Sequence, residues 1–402
     1  MQEALQHNAD LEAAEARIRA ADARVREAGS ALIPSVSAGA SINRIQGSSA
    51  GVSATELDRG VSLSASYEPD FWGAASSARR AARAELRATR ADAALLRLTL
   101  EASVVETFVD LLAVRSQQDD LRQRIDLLAN AAETLEARQS AGLISGVELM
   151  PYRSALSTAR AALAPLLIRE TELAAALALL LGRDSPVELP AAISLRTLTV
   201  PPPVGAEPAD LLTRRPDVIS AESALLAADA NLDLARAAFL PRLTLDVVAA
   251  RQNPGFQAVL TTLAGTGQTL DLGAALTQTL FDGGKRKALR AQAQAHQEEL
   301  LATYRRTVLG AFLDAQRAFA LQQAAAEQTK ASTVVVEHAV AQAQSLMARR
   351  EAGAGDPLLV LDAQQGRLQA QESLDASHAG ELKAAIGLFK ALGGGWQGEA
   401  RQ

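Results

Sequence analysis

The sequence contains no cysteine, which excludes disulfides, thiolate metal sites, cysteine nucleophiles and any cysteine able to carry a lipid. Aromatic residues make up only 3%, so no core can form around large ring anchors. No run of about 18 apolar residues occurs, so there is no transmembrane helix. The richest stretch, Leu173–Leu181, is far too short, although membrane-spanning strands are untouched by this test. An excess of basic charge is also missing. With 40 Lys and Arg against 46 Asp and Glu, net −6, nucleic acid is not an expected partner. The densest basic run, Lys285-Arg286-Lys287, is short and reads as a solvated helix start. Met1-Gln2-Glu3-Ala4 has neither the basic start nor the apolar core of a signal peptide. The chain opens directly inside an amphipathic helix, and the expectation is that an N-terminal segment is missing. The four histidines His7, His296, His338 and His378 are scattered without metal-ligand spacing, and neither a phosphate-binding loop nor a nucleophile elbow is present. No enzyme activity, cofactor or metal is expected.

What the chain does have is itself twice. Asp10, Glu15, Asp22 and Pro34 recur as Asp217, Glu222, Asp229 and Pro241, each 207 positions later. Gly142 and Leu181-Gly182 recur as Gly353 and Leu392-Gly393, each 211 later. The period is too long for a solenoid unit of about 20–50 residues, so each copy is a complete structural half. Residues 1–200 form the first repeat, 201–208 a stiff proline-rich linker, and 209–402 the second. The 48% apolar share, mostly Ala and Leu, suits long helices packed through small side chains.

Each half reads helix, strand, strand, long helix, glycine turn, long helix. The opening helices span roughly Gln2–Leu32 and Ala209–Leu240 and end before Pro34 and Pro241, where proline stops a helix; Pro216 fits the first turn of the second. Four segments, about 35–45, 60–69, 242–252 and 270–280, alternate with period 2. In the first, Val36, Ala38, Ala40 and Ile42 oppose Ser35, Ser37, Gly39 and Ser41. Two solvent-facing hairpins on a soluble protein are one reading. The other is a barrel closed by several copies, because an isolated hairpin is marginal in water and about 9–11 residues span a membrane.

From Gly73 to about Arg138 no glycine or proline interrupts, which allows a helix of about 60 residues and ~90 Å. Leu95, Leu98, Ala102, Val105, Val109 and Leu112 form a coiled-coil seam; Leu301, Tyr304, Val308, Ala311, Ala315 and Ala318 keep the same spacing. The register between halves stays ambiguous by about a heptad, because Phe108 matches either Phe312 or Phe319. Glycine turns at Gly142 and Gly353 end both helices, and Ser145 and Asp356 are positioned to cap the returning ones.

Four motifs now resemble one family. Tyr67-Glu68-Pro69-Asp70-Phe71-Trp72-Gly73, Arg214-Arg215-Pro216-Asp217-Val218, Leu280-Phe281-Asp282-Gly283-Gly284 and Leu392-Gly393-Gly394-Gly395-Trp396 are similar to the outer membrane efflux proteins. These are the TolC-like channels, and the match is nearest their NodT/OprM-type branch. The resemblance implies a mainly α protein with a transmembrane β-barrel portion. As a homotrimer it would build a 12-stranded barrel that continues into a periplasmic α-helical barrel. It further implies an exit duct in the outer membrane, working with a periplasmic adaptor and an inner-membrane pump and opened by an iris-like movement of the helical tips. Members of this branch usually carry a signal peptide, a lipidated cysteine and an N-terminal segment that this chain lacks. The competing class is a soluble coiled-coil scaffold or tether without transport activity, which the four alternating segments oppose.

Site expectations follow from the resemblance. Asp362 matches an inward aspartate that threefold symmetry makes a ring attracting cations, the alternative being a solvated helix-face acid. Leu359 stands where a second acidic ring would sit, giving a hydrophobic constriction instead. Glu148 matches an acidic tip position that ties neighbouring helices, with Arg350 as its candidate partner, although the family's arginine position is occupied here by Gly355. Asp356 completes the gate set. Gly142, Leu143, Ser145, Gly353, Ala354 and Gly355 are the adaptor-facing turns. Tyr67, Phe71 and Trp72 are either an interfacial aromatic girdle or packing at the junction of barrel and helices.

Overall fold

A computed structural model describes residues 1–49, 52–190, 193–201, 213–253 and 268–394. Most of the expected linker, together with Gly395 and Trp396, lies outside the described residues. The elements are α1 (Gln2–His7), α2 (Ala9–Ser30), β1 (Ser35–Ser49), β2 (Val52–Tyr67), α3 (Ala74–Ser140), α4 (Gly146–Leu181), α5 (Pro216–Ala237), β3 (Arg242–Asn253), β4 (Gln268–Thr277), α6 (Lys285–Glu351) and α7 (Pro357–Ala391). They divide into two compact units. Met1–Glu15, Asp92–Ile219 and Thr307–Gln402 make one; Ala16–Ala91 and Ser220–Arg306 make the other.

The repeat is written into the element boundaries. α2 and α5 are both 22 residues long and begin 207 positions apart. α3 and α6 are both 67 residues long and begin 211 apart. That offset pairs Phe108 with Phe319 and removes the heptad ambiguity. The four extra residues of the second half fall between Pro241 and α6, in its strand region.

The opening helix is not continuous as expected. It breaks at Asn8, whose backbone is extended. The Asn8 side chain does two things there. Its Oδ1 accepts from the Asp10 and Leu11 amides, capping α2. Its Nδ2 donates to the Leu180 carbonyl at the end of α4, 3.2 Å away. Arg215 repeats the break in the second half and donates from Nη1 to the carbonyl of Ala391 at 3.0 Å; Leu180 and Ala391 are again 211 apart. Next to each carbonyl a glycine turns left-handed, Gly182 at φ 73° and Gly393 at φ 85°. A Cβ on Gly182 would strike the His7 backbone, and one on Gly393 would lie 3.0 Å from the Arg214 backbone. Both halves therefore close with the same clasp, from the last helix onto the first.

In the first unit, Leu100, Val104, Leu111 and Val114 of α3 bury against Leu173, Leu177 and Leu181 of α4 and Ala4 of α1. The opposite side of α3, with Val109 and Leu112, packs with Ala379 and Leu382 of α7 around Leu195. Leu195 lies on a short 3-10 turn, Leu195–Thr197, in a strap of chain that follows α4, and its neighbour Arg196 anchors that strap. Arg196 grips buried Asp120 on α3 at 2.9 Å and buried Asp375 on α7 at 2.8 Å. Burial works against both carboxylates. In Asp375 the bonds from Arg196, Ser116 and Gln371 outweigh it and hold the acid below its ordinary range. In Asp120 burial prevails over Arg196 and pushes the acid up.

The expected seams are only partly internal. Leu98, Ala102, Val109 and Leu112 are buried, but Val105 is not. On α6 only Ala311 and Ala315 of the expected six are buried, and Leu301 is exposed. The small alanines let that helix sit close to its own chain, while its large residues turn outward: Leu309 and Leu313 are both 64% exposed.

The second unit holds one antiparallel sheet in the order β1-β2-β3-β4. Its register lines up one kind of residue on each face. Val36 pairs with Ala65, Ala65 with Val247 and Val247 with Leu272. One row over, Ser37 pairs with Ser64, Ser64 with Val248 and Val248 with Asp271. One face is thus apolar and the other mostly Ser, Gly, Thr and Asp. The apolar face is bare, with Val36 67% and Leu272 74% exposed.

The clasp yields a paired test. Gly182→Ala combines left-handed strain with a backbone collision, and an expected cost of about 3 kcal/mol or more follows. Gly142→Ala meets no atom within 4 Å, and strain alone costs about 1 kcal/mol. Thermal melting of the helical circular-dichroism signal in detergent measures the difference; equal losses would refute the clasp.

Candidate functional site

The two hairpin tips form the candidate site, and both lie in the first unit. Each long helix ends in the same way. The amides of Gly142 and Leu143 donate to the Gln139 and Arg138 carbonyls, and those of Gly353 and Ala354 to Arg350 and Arg349, all at 2.9–3.0 Å. Glycine is needed at the left-handed step, φ 72° and 76°. The returning helices start differently. Ser145 and Glu148 make a reciprocal capping box on α4. Asp356 caps α7 by accepting from the Leu358 amide at 2.9 Å, ahead of Pro357. Gly355 has its own reason: a Cβ there would press on the Arg350 backbone.

Glu148 is therefore occupied within its own helix, accepting from the Ser145 amide at 3.3 Å and from its hydroxyl at 3.1 Å. The expected bond to Arg350 is not made, and Arg350 has no ion-pair partner among the described residues. The capping geometry explains this, because the N3 carboxylate is the group that reaches back to the free N-terminal amides. Leu359 and Asp362 sit three residues apart on an exposed stripe of α7, flanked by buried Val360, Leu361 and Ala363. Leu143, at 73% exposed, projects from the first tip.

Sequence reading missed Tyr152. It stands on α4 close enough to the second tip for Asp362 and Asp356 to act on it. Burial, and after it those two negative charges, push its phenol above the usual tyrosine range. The residue types gave no signal, because the pair joins two hairpins more than 200 positions apart. Also missed was a difference in how the tips are stitched. In the first hairpin Arg153 donates twice to Glu136, at 2.8 and 3.0 Å. At the equivalent positions of the second hairpin, Gln364 reaches only the Met347 sulfur at 3.3 Å, a weak acceptor.

The aromatic candidates lie in the second unit. Trp72 donates from its indole to the Pro241 carbonyl at 2.7 Å, yet Trp72 and Phe71 remain exposed and Tyr67 is half-buried. Asp70 caps α3 through the Ala75 and Ser76 amides.

Set beside known proteins, the sequence matches the family described as outer membrane efflux protein over residues 1–183 and 208–394. It is 35% identical to the pyoverdine export outer membrane protein OpmQ of Pseudomonas putida, across 99% of this chain and 85% of that protein. It is 27% identical to the cation efflux system protein CusC of Escherichia coli O157:H7, across 98% and 85%. The solved structure of the outer-membrane channel OprN superposes with a TM-score of 0.85 at 25% identity, covering 98% of this chain and 89% of that one.

The Tyr152 environment makes a titration prediction. Removing the negative charge with Asp362→Asn favours the phenolate, so the Tyr152 pKa falls towards, but not to, its ordinary value, since burial persists. Absorbance titration at high pH, with the other two tyrosines replaced by Phe, reads this shift. An unchanged or higher pKa would show that the two residues do not communicate.

Proposed function

This chain belongs to the outer membrane efflux protein family, and on that premise we propose that it is the exit duct of a tripartite export system, passing small molecules from an inner-membrane pump and a periplasmic adaptor to the outside. Efflux proteins of this family sit in the outer membrane with their helical part in the periplasm, and they carry out transport rather than bond-making chemistry. The single observation that carries the reading is the sheet: four strands, one bare apolar face, one small polar face, and free edges on β1 and β4. In water, long open edges invite uncontrolled pairing, and an uncovered apolar face is untenable. If β4 of one copy pairs with β1 of the next, three copies give twelve strands with the apolar face to lipid and the serine-rich face to a water-filled lumen. The outward leucines of α6 support the same assembly, because a neighbouring copy would cover them.

The gate follows from the tips. Three copies of Asp362 make an acidic ring, with Leu359 as its apolar neighbour. The first hairpin is pinned by Arg153 and Glu136 while the second is not, so the second is the leaf that swings. An adaptor gripping Leu143, Ser145 and the Gly142 and Gly353 turns biases this two-state element by binding the splayed form better.

Reconstitution tests both levels. Unheated samples in detergent should migrate as a trimer that heating dissociates, and a freely soluble monomer would sink the duct. In planar bilayers Asp362→Ala should raise single-channel conductance about twofold or more and weaken block by divalent cations, as removal of a charged constriction predicts. Unchanged conductance and block would reject the ring.

A further inference from the structure

The chain is acidic overall, but its charge is unevenly divided. The unit that carries the sheet holds 20 Lys and Arg against 15 Asp and Glu, net +5; the remainder holds 20 against 31. Within the sheet unit the four strands carry four charges of each sign. The surplus therefore lies in the helices and turns beside the sheet.

Local bonding sharpens it. The acids nearest the strand ends are already engaged: Glu68 with Arg242, Asp282 with Arg286, Asp233 with Arg80 and Arg236, and Asp70 with the α3 amides. The cations are not. Lys285, Lys287 and Arg290 in the first two turns of α6, Arg83 on α3 and Arg24 on α2 are all exposed and have no acidic partner among the described residues. Glu27 and Glu85 are exposed acids of the same zone. At 1.5 Å per residue the five cations fall within about 15 Å of the helix ends that join the strands. Between them and the apolar sheet face stand Phe71, Trp72, Leu280 and Phe281, the last two 91% and 88% exposed.

We propose that this collar binds the anionic headgroups of glycerophospholipids in the periplasmic leaflet of the outer membrane. The inference rests on the barrel reading above and names the lipid that the barrel's helical end prefers. The order of chemistry matches a leaflet met from its interior: an apolar sheet for acyl chains, then exposed aromatic and aliphatic side chains at the interface, then unpaired cations for phosphate. A zwitterionic headgroup supplies phosphate together with a compensating cation; phosphatidylglycerol supplies phosphate alone, and the surplus positive charge selects it.

The test uses the full-length chain with Trp396→Phe, leaving Trp72 as the sole tryptophan, in vesicles of brominated phosphatidylglycerol mixed with phosphatidylcholine and the reciprocal mixture. A surface cation is worth roughly fivefold at low salt and is screened beyond about 8 Å at physiological salt. The expected result is at least a threefold preference for phosphatidylglycerol at low salt, falling towards one at 1 M NaCl. Lys285→Gln with Lys287→Gln and Arg290→Gln should abolish most of it, while Lys330→Gln, which belongs to the other unit, should not. Equal quenching by the two lipids at low salt, or a triple variant that keeps the preference, overturns the collar. Failure of the parent chain to insert into vesicles at all overturns the barrel reading, and the collar with it.

Discussion

Everything in this chain hangs on one closure made twice: the carbonyl at the end of the last helix of each half is held by the residue that breaks the first. Asn8 takes the Leu180 carbonyl and Arg215 takes that of Ala391, while a Cβ on Gly182 would collide with the neighbouring backbone and one on Gly393 would crowd it. A helix end leaves carbonyls without partners, and burying them unpaired is costly. Satisfying them from the start of the same half converts a linear order of elements into a ring. The two versions differ in reach. Asn8 is neutral and holds one helix end. Arg215 also bonds Asp217, Asp314 and the Ala311 carbonyl, so the second clasp ties α6 in as well.

Sequence pattern carried the local features and lost the long-range ones. The strands were legible because a two-residue period admits one apolar face, and the paired register lines those faces up across four strands. The tip glycines and caps were legible because their requirements are satisfied within four or five residues. The break at Asn8 was not, since asparagine inside a helical pattern signals nothing until its partner 172 residues away is known. For the same reason the strap at Leu195 and Arg196 left no trace, as its value comes from Asp120 and Asp375 on two distant helices. The α6 seam was legible as an apolar stripe, but what covers it was not, for a different reason. Heptad spacing reports that a helix has an apolar stripe, not whether its own chain or another covers it.

The candidate site divides along the same line. The caps at Asp356 and Ser145 and the turns at Gly142 and Gly353 were legible because capping is local. Glu148 meets a nearer demand within this chain, the amide and hydroxyl of Ser145, a local bond that helical spacing alone does not separate from a tie to a neighbouring helix. Tyr152 became visible only when the hairpins were placed side by side, where burial and the charges of Asp362 and Asp356 act on one phenol.

The strap also explains why a duplicated chain need not behave as two equal halves. It lies between α4 and α5, and no second contact of this kind occurs among the described residues. Arg196 shares one guanidinium between two buried carboxylates, and at Asp120 burial outweighs what that shared cation supplies. Truncating Arg196 would leave two buried acids unpaired, which is far worse than losing a surface pair. That makes the junction inside each copy hard to open. The outer side of α6 exposes large apolar side chains, Leu309, Phe312, Leu313 and Val335 among them, a contact that can slide without breaking a buried ion pair. If three copies close the ring proposed above, the two kinds of junction alternate. Movement at the tips would then be cheapest where α6 and α7 meet a neighbour, which is the hairpin that lacks the Arg153 and Glu136 stitch.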